Sequence, residues 1–238
     1  NLINAMAIRR ELEGRGSILT STSDSEVIVH LLARSRETNP EDRLIDALSR
    51  VKGAYSLAML TDDALIAARD PFGFRPLSLA RLGGAWIVAS ETCAFDLIGA
   101  EYERDLEPGE VVVIRRGRLR TLRPFAAAPR QAFCIFEQIY FARPDSNVIG
   151  HSVYQFRKEL GRILSREHPV AADMVVPVLD SGNAAALGYA EEAGIPYETA
   201  LIRNQYVKRT FIEPSASIRD FRVRIKHNAS RQLVGGKR

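Results

Sequence analysis

The sequence predicts an α+β layer structure followed by an α/β unit, and three observations predict it. Apolar residues recur at helical spacing through the first 51 residues, the period changes to two between Ala54 and Leu122, and a βαβ pattern follows after residue 128. The chain has 238 residues, 46% apolar and 26% charged, which is enough to bury a core and excludes disordered and fibrous classes.

Leu2, Ile3, Met6 and Leu12 predict a helix over 2–13, with Gly14 and Gly16 available for a left-handed cap. Ser23-Asp-Ser-Glu26 has the Ser-x-x-Glu form of a capping box and opens a second helix through Val27, Ile28, Leu31 and Leu32. Leu44, Ile45, Leu48 and Val51 mark a third, stopped by Gly53. Residues 54–60, 64–69, 77–82 and 85–90 are strand-like, punctuated by Asp62-Asp63, Pro71-Phe-Gly73 and Gly83-Gly84, and predict one antiparallel meander. A hairpin, 111–114 with 119–122, turns at Arg115-Arg-Gly-Arg118. Residues 126–129 then predict a linker, so the domains are expected at 1–127 and 128–238.

In the second domain 133–141 is strand-like, and 153–165 is an amphipathic helix with Val153, Phe156, Leu160, Ile163 and Leu164 on one stripe. The apolar run 174–179 predicts a buried parallel strand, Asp180-Ser-Gly182 a turn, 184–193 a helix and 197–202 a returning strand.

Ligands of open α/β sheets bind beyond the carboxyl ends of strands, at helix N-termini. Asp180-Ser-Gly182 occupies that place, where an oxygen side chain can bind hydrated Mg²⁺ or can serve only as a cap. Asp24 has two readings as well. It complements the macrodipole of the second helix, worth about 0.3–1 kcal/mol, or its carboxylate pairs with a substrate ammonium. His30, His151, His168 and His227 share no metal spacing, and neither a Gly-x-Ser-x-Gly elbow nor a Walker loop occurs. Cys93 and Cys134 lie too far apart for a Cys-x-x-Cys pair, and Cys134, between Phe133 and Ile135, reads as a buried structural thiol. No run of about 18 apolar residues is present, which excludes a helical membrane span and makes the cytoplasm the expected compartment. The net charge of +4 comes from the tail, where ten Lys and Arg from Arg203 onward face only Glu213 and Asp220. With Tyr206, Phe211 and Phe221 interleaved, that tail reads as a lid over an anionic substrate, a nucleic-acid contact or a solvated loop.

Several stretches coincide with one family. Thr22-Ser-Asp-Ser-Glu26, Lys52-Gly-Ala-Tyr55, Arg69-Asp-Pro-Phe-Gly73, Arg75-Pro-Leu77, Ser90-Glu-Thr-Cys-Ala-Phe-Asp96, Glu107-Pro-Gly-Glu110, Tyr140-Phe-Ala-Arg-Pro-Asp-Ser146, Gly188-Tyr-Ala-Glu191, Gly194-Ile-Pro-Tyr197 and Arg209-Thr-Phe-Ile212 resemble the amidophosphoribosyltransferases. The resemblance runs from end to end. It implies part of an N-terminal-nucleophile (αββα) glutaminase domain over 1–127, then the first part of a type I phosphoribosyltransferase domain over 128–238. In that family a terminal cysteine attacks glutamine, and the released ammonia displaces pyrophosphate from phosphoribosyl pyrophosphate to give 5-phosphoribosylamine, the first committed step of purine synthesis.

The family reads His-Asn-Gly-Asn-Leu where this chain reads Asn1-Leu2, and Gly236-Lys-Arg238 leads toward its Val-Asp-Asp-Ser motif. The nucleophile, the oxyanion residues and that motif are therefore expected outside the chain, which makes it an internal fragment without catalytic residues, inactive alone. The resemblance implies that Asp24 binds the substrate α-amino group and that Ser181 contributes to an Mg²⁺ site. Tyr206, Arg203 and Arg209 match the loop that closes over phosphoribosyl pyrophosphate. Cys134 aligns with the first ligand of the [4Fe–4S] cluster in members that have one, and members without a cluster also carry cysteine there. Implied partners are glutamine, phosphoribosyl pyrophosphate and purine nucleotides as feedback inhibitors, within a homo-oligomeric parent, without nucleic acid or membrane. Leu179 and Gly182 replace the family's proline and serine, and Gln205 and Lys208 replace its arginine and glycine, which bears on loop closure. A glutamine-dependent hexosamine synthase shares the glutaminase half, but its sugar-isomerase half does not match Tyr140-Phe-Ala-Arg-Pro-Asp-Ser146. A degenerate, non-enzymatic module binding nucleotide or nucleic acid through the basic tail is the alternative of another class.

Overall fold

Alternating side chains on two paired strands build the layers of the first half of the chain. Helices α1 (Ala5–Gly14), α2 (Glu26–Arg34) and α3 (Pro40–Arg50) pack on an antiparallel sheet of β1 (Ser56–Leu60), β2 (Ala64–Arg69), β6 (Val111–Arg115) and β7 (Arg118–Leu122), in that spatial order. Ile66 opposite Val113 and Ala68 opposite Val111 share one apolar layer with Ile8, Leu12, Val27, Leu31, Leu44 and Leu48. The intervening pair, Ala67 opposite Val112, points the other way, into a layer with Leu77, Leu79 and Leu106. That second layer brings in the sheet of β3 (Ser78–Leu82), β4 (Ala85–Ala89) and β5 (Glu101–Asp105), ordered β4-β3-β5. Helices, sheet and sheet thus stack, and a one-residue slip of β2 would exchange its two apolar faces.

The computed structural model describes residues 1–207 and 215–238 and divides into two units, Asn1–Glu137 with Ser146–Gly150, and Gln138–Asp145 with His151–Arg238. The expected single meander is instead split between the two sheets. Asp70, fully buried at the switch, accepts from the amides of Phe72 at 2.9 Å and of Tyr55 and Phe74 at 3.3 Å. Arg69 donates to the carbonyls of Leu106 at 2.6 Å, Arg75 at 2.9 Å and Gly73 at 3.1 Å. A buried carboxylate must find donors, and by taking amides from the turn it sends the chain out of one sheet into the other. Gly73 takes the left-handed backbone of the turn (φ +64°), which strains other residues, and a Cβ would also crowd Pro108 Cγ at 3.0 Å.

Helix α4 (Cys93–Ile98) and strand β5 escaped the sequence reading, the latter because four of its five residues are charged. Residues 126–129 are not a free linker: Ala128, Ala132 and Cys134 donate to the carbonyls of Pro71, Phe72 and Phe74 at 2.8–3.0 Å. The first unit runs to Glu137 and takes up Ser146–Gly150. The segment 133–141 is not a strand either. It ends in a π-helical turn, Glu137–Phe141, that buries Glu137 and Gln138 and leaves Phe136, Tyr140 and Phe141 half exposed. Arg75 Nε lies 2.7 Å from the Glu137 carboxylate, so an ion pair rather than aromatic burial fixes the turn. Beyond it, β8 (Asn147–Val148) is tied to the first unit, where Thr92 Oγ1 accepts from the Asn147 amide at 2.7 Å and Ser146 donates to Glu91 at 2.9 Å.

In the second unit β9 (His151–Ser152) leads into α5 (Val153–Glu167), whose N-cap Ser152 accepts from the Gln155 amide at 3.4 Å. α5 packs against α6 (Asn183–Ala193). The buried face of α5 is Val153, Arg157, Gly161 and Ser165, rotated from the expected stripe, and Leu164 is half exposed. Arg157 is buried because it donates to the carbonyls of Gln138 at 2.7 Å and Ala142 at 2.8 Å. The run 174–179 makes one parallel bridge, Val175 to Tyr197, and Val178 is 64% exposed. A parallel strand is buried on both faces only when neighbouring strands and helices flank it, and among the described residues one bridge is all it has. β10 (Leu201–Arg203) and β11 (His227–Ala229) pair antiparallel, and α7 (Ala216–Lys226) and α8 (Arg231–Val234) occupy much of the basic tail.

Candidate functional site

Asp24 stands on the loop before α2, beside the residues that lead into α1. Its Oδ2 accepts from the Leu2 amide at 2.7 Å. The Leu2 amide is the first cause holding its carboxyl below the usual range. The side chain is 36% exposed and lines a cavity of about 450 Å³ with Leu2, Met6, Arg9, Thr22 and Ser23. An ionised, half-open carboxylate in a cavity of that size can take one small cation or ammonium group.

The expected capping box does not form. Glu26 passes over Ser23 and accepts instead from the amides of Thr20 at 2.6 Å and Ser21 at 3.0 Å, and Ser25, the N-cap residue, makes no side-chain cap. The Thr20 amide, followed by the amide and hydroxyl of Ser21, lowers the Glu26 carboxyl to about 2. Because the folded value lies below the ordinary Glu value of about 4.3, this contribution to stability is complete above that pH and disappears as pH falls through the folded value. Urea midpoints measured against pH should therefore fall less steeply for Glu26→Gln than for the wild type between about pH 4.3 and about pH 2. Parallel slopes would contradict the assignment.

In the second unit the structure brings Asp180 and Arg203 together: the Arg203 guanidinium, at the end of β10, is ion-paired with the Asp180 carboxylate. Ser181 is exposed between Asp180 and the first turn of α6. Gly182 caps α6 without a side chain, and a Cβ there would stand 2.8 Å from the Val178 carbonyl oxygen, which explains the departure from serine. Tyr206 is 96% exposed, and its amide donates to Asn204 Oδ1 at 3.0 Å. Arg209 lies outside the described residues.

Cys134 is partly exposed, not the buried thiol expected, and its Sγ is 3.9 Å from Arg75 Nη1. Cys93 is buried, its thiol 3.8 Å from Glu91. Among the described residues no three His, Cys, Asp or Glu side chains converge as a metal site. An iron–sulfur cluster takes four thiolates, and this chain has two cysteines, of which Cys134 is the more exposed. A hydrated Mg²⁺ is held by few protein oxygens together with substrate phosphates; the Ser181 hydroxyl is exposed, while Asp180 is engaged by Arg203.

Residues 1–96 match the family model described as a glutamine amidotransferase domain, the class to which the layered fold corresponds. The chain is 50% identical to the amidophosphoribosyltransferase of Rhizobium etli, covering 100% of this chain and 49% of that protein. It is 48% identical to that of Bacillus subtilis, covering 100% and 50%. The solved structure of glutamine phosphoribosylpyrophosphate amidotransferase from B. subtilis, complexed with ADP and GMP, superposes with a TM-score of 0.91 at 47% identity, over 100% of this chain and 52% of that one. Along its whole length the chain is a homologue of the amidophosphoribosyltransferases. It spans about half the length of the curated relatives it matches.

Proposed function

We propose that the protein carrying this chain transfers the amide nitrogen of glutamine to phosphoribosyl pyrophosphate, forming 5-phosphoribosylamine, glutamate and pyrophosphate at the entry to purine synthesis. The observation that carries the reading is Asp24, an ionised carboxylate open to a cavity of about 450 Å³ within the stretch that matches a glutamine amidotransferase domain. We assign residues 1–127 to the glutaminase and 128–238 to the phosphoribosyltransferase, and Asp24 to the α-ammonium of glutamine.

In the second part Ser181 offers its hydroxyl to an Mg²⁺ that arrives with the diphosphate, and the metal would neutralise the charge of the leaving pyrophosphate. Arg203, Tyr206 and Arg209 are assigned to the same substrate. Its phosphates compete with Asp180 for the Arg203 guanidinium, so the basic tail serves a phosphorylated small molecule rather than nucleic acid. Cys134 would be this chain's single ligand to any cluster. Purine nucleotides are assigned as inhibitors, as the B. subtilis complex with ADP and GMP supports. No described helix is long and apolar enough to cross a membrane, and the cytoplasm is the compartment we assign.

The test is the full-length protein with Asp24→Asn. Losing one charge-assisted contact should lower the ratio of glutamine-supported to ammonia-supported phosphoribosylamine synthesis about tenfold. An unchanged ratio would overturn the assignment.

A further inference from the structure

We propose that Glu26 and Arg9 are positioning residues for Asp24, setting the preference of the site for a substrate that carries an ammonium group. The inference rests on the reading of Asp24 above and adds Glu26, which the sequence pattern assigned to a helix cap, and Arg9. Glu26 Oε1 accepts from the Thr20 amide at 2.6 Å and hydroxyl at 3.2 Å, and its Oε2 accepts from the Ser21 amide at 3.0 Å and hydroxyl at 2.9 Å. Arg9, on α1, closes the ring: it donates to the Ser21 carbonyl at 2.7 Å and to Glu26 Oε2 at 3.3 Å. One carboxylate and one guanidinium thus engage both amides, both hydroxyls and one carbonyl of residues 20 and 21.

Asp24 sits between that anchor and α2, and its third tether is the Leu2 amide. A loop fixed before the ligand arrives loses less entropy on binding, so its contacts are stronger. Charge works in the same direction. Arg9 lines the cavity with Asp24, and a bare guanidinium there would repel an incoming ammonium. Glu26 at 3.3 Å and Glu13 at 3.5 Å neutralise it. Neutralising Glu26 therefore both loosens the loop and exposes a positive charge beside the ammonium subsite.

The experiment compares, in the full-length protein, kcat/KM for glutamine with kcat/KM for 4-carbamoylbutanoate, which is glutamine without its α-amino group. Asp24→Asn and Glu26→Gln should each lower the ratio about tenfold. The double variant should be no worse than Asp24→Asn alone, because Glu26 acts through Asp24. A merely structural Glu26 would depress both substrates equally and leave the ratio untouched, which would overturn the proposal. If Asp24→Asn lowers the ratio and Glu26→Gln does not, the positioning role falls and the site assignment stands. If Asp24→Asn leaves it unchanged, both fall. Should Glu26→Gln not fold, Thr20→Val with Ser21→Ala keeps the test open: it leaves Arg9 and Glu26 charged and removes the two hydroxyl contacts to the Glu26 carboxylate, so it must lower the ratio about threefold, and no change overturns the proposal.

Discussion

Replacing Arg104 with methionine will cost the first unit about 3–5 kcal/mol, because it strands a buried carboxylate. Arg104, on β5, holds Glu110 bidentately, with Nη1 2.9 Å from Oε2 and Nη2 2.6 Å from Oε1. Glu110 is 1% exposed, and it also accepts from the Glu107 amide at 2.7 Å and from the Thr121 hydroxyl. Burial pushes the Glu110 carboxyl up, but Arg104 and the Glu107 amide outweigh it and hold the group below its ordinary value. The pair spans the turn that carries the chain from β5 in one sheet to β6 in the other.

The pH dependence identifies the cause. In the wild type the depressed carboxyl contributes stability that is present above about pH 4.3 and lost as pH falls through the folded value. Without Arg104 burial dominates, the folded carboxyl rises above its unfolded value, and stability should instead decline as pH rises from about 4 to 7. Urea midpoints of Arg104→Met should therefore be higher at pH 4 than at pH 7. An equal loss at both would mean that the pair contributes packing alone. Adding Glu110→Leu to Arg104→Met should recover most of the stability, since an apolar pair of similar volume removes the stranded charge.

How much was legible follows from the range of each interaction. The three N-terminal helices and β1 and β7 show in the sequence because each has one apolar face with a period set by its own backbone, and β2 and β6, buried on both faces, show as continuous apolar runs. β5 does not, because Glu101, Glu103, Arg104 and Asp105 serve pairings made elsewhere, such as Ser78 with Asp105 at 2.6 Å. Asp24 was visible as a motif residue, but the work of Glu26 was not. A capping box looks three residues back, and the partners of Glu26 lie five and six back and on α1. The pairing of Asp180 with Arg203, 23 residues apart, leaves no spacing signature at all. The misplaced stripe on α5 has a different origin. Side-chain hydrophobicity pointed to Leu160 and Leu164, yet the face that packs is centred on Gly161, where it is the absence of a side chain that allows burial.

That glycine supplies the other large effect. Gly161→Ala and Gly188→Ala should each destabilise the second unit, although alanine is the better helix former by about 1 kcal/mol. A Cβ on Gly161 would stand 1.8 Å from the Ala185 carbonyl oxygen, and one on Gly188 would stand 1.9 Å from that of Lys158. Both obstacles are helix backbone, so neither can rotate aside, and α5 and α6 must separate. Overpacking of this kind costs about 3 kcal/mol, leaving a net loss of about 2 kcal/mol per site once helix propensity is credited. Separation also stretches the ion pairs that span the two helices, Lys158 to Glu191 at 2.6 Å, Arg162 to Glu191 at 2.9 Å and Arg166 to Glu192 at 3.0 Å. These are largely exposed and weak singly, so the steric contribution should dominate, and high salt should change the wild-type midpoint far less than either substitution does. The two substitutions act on one interface, so their sum should exceed the loss in the double variant: helices already pushed apart by the first Cβ accept the second at lower cost. Fully additive losses would show instead that each glycine is required by its own helix rather than by the crossing.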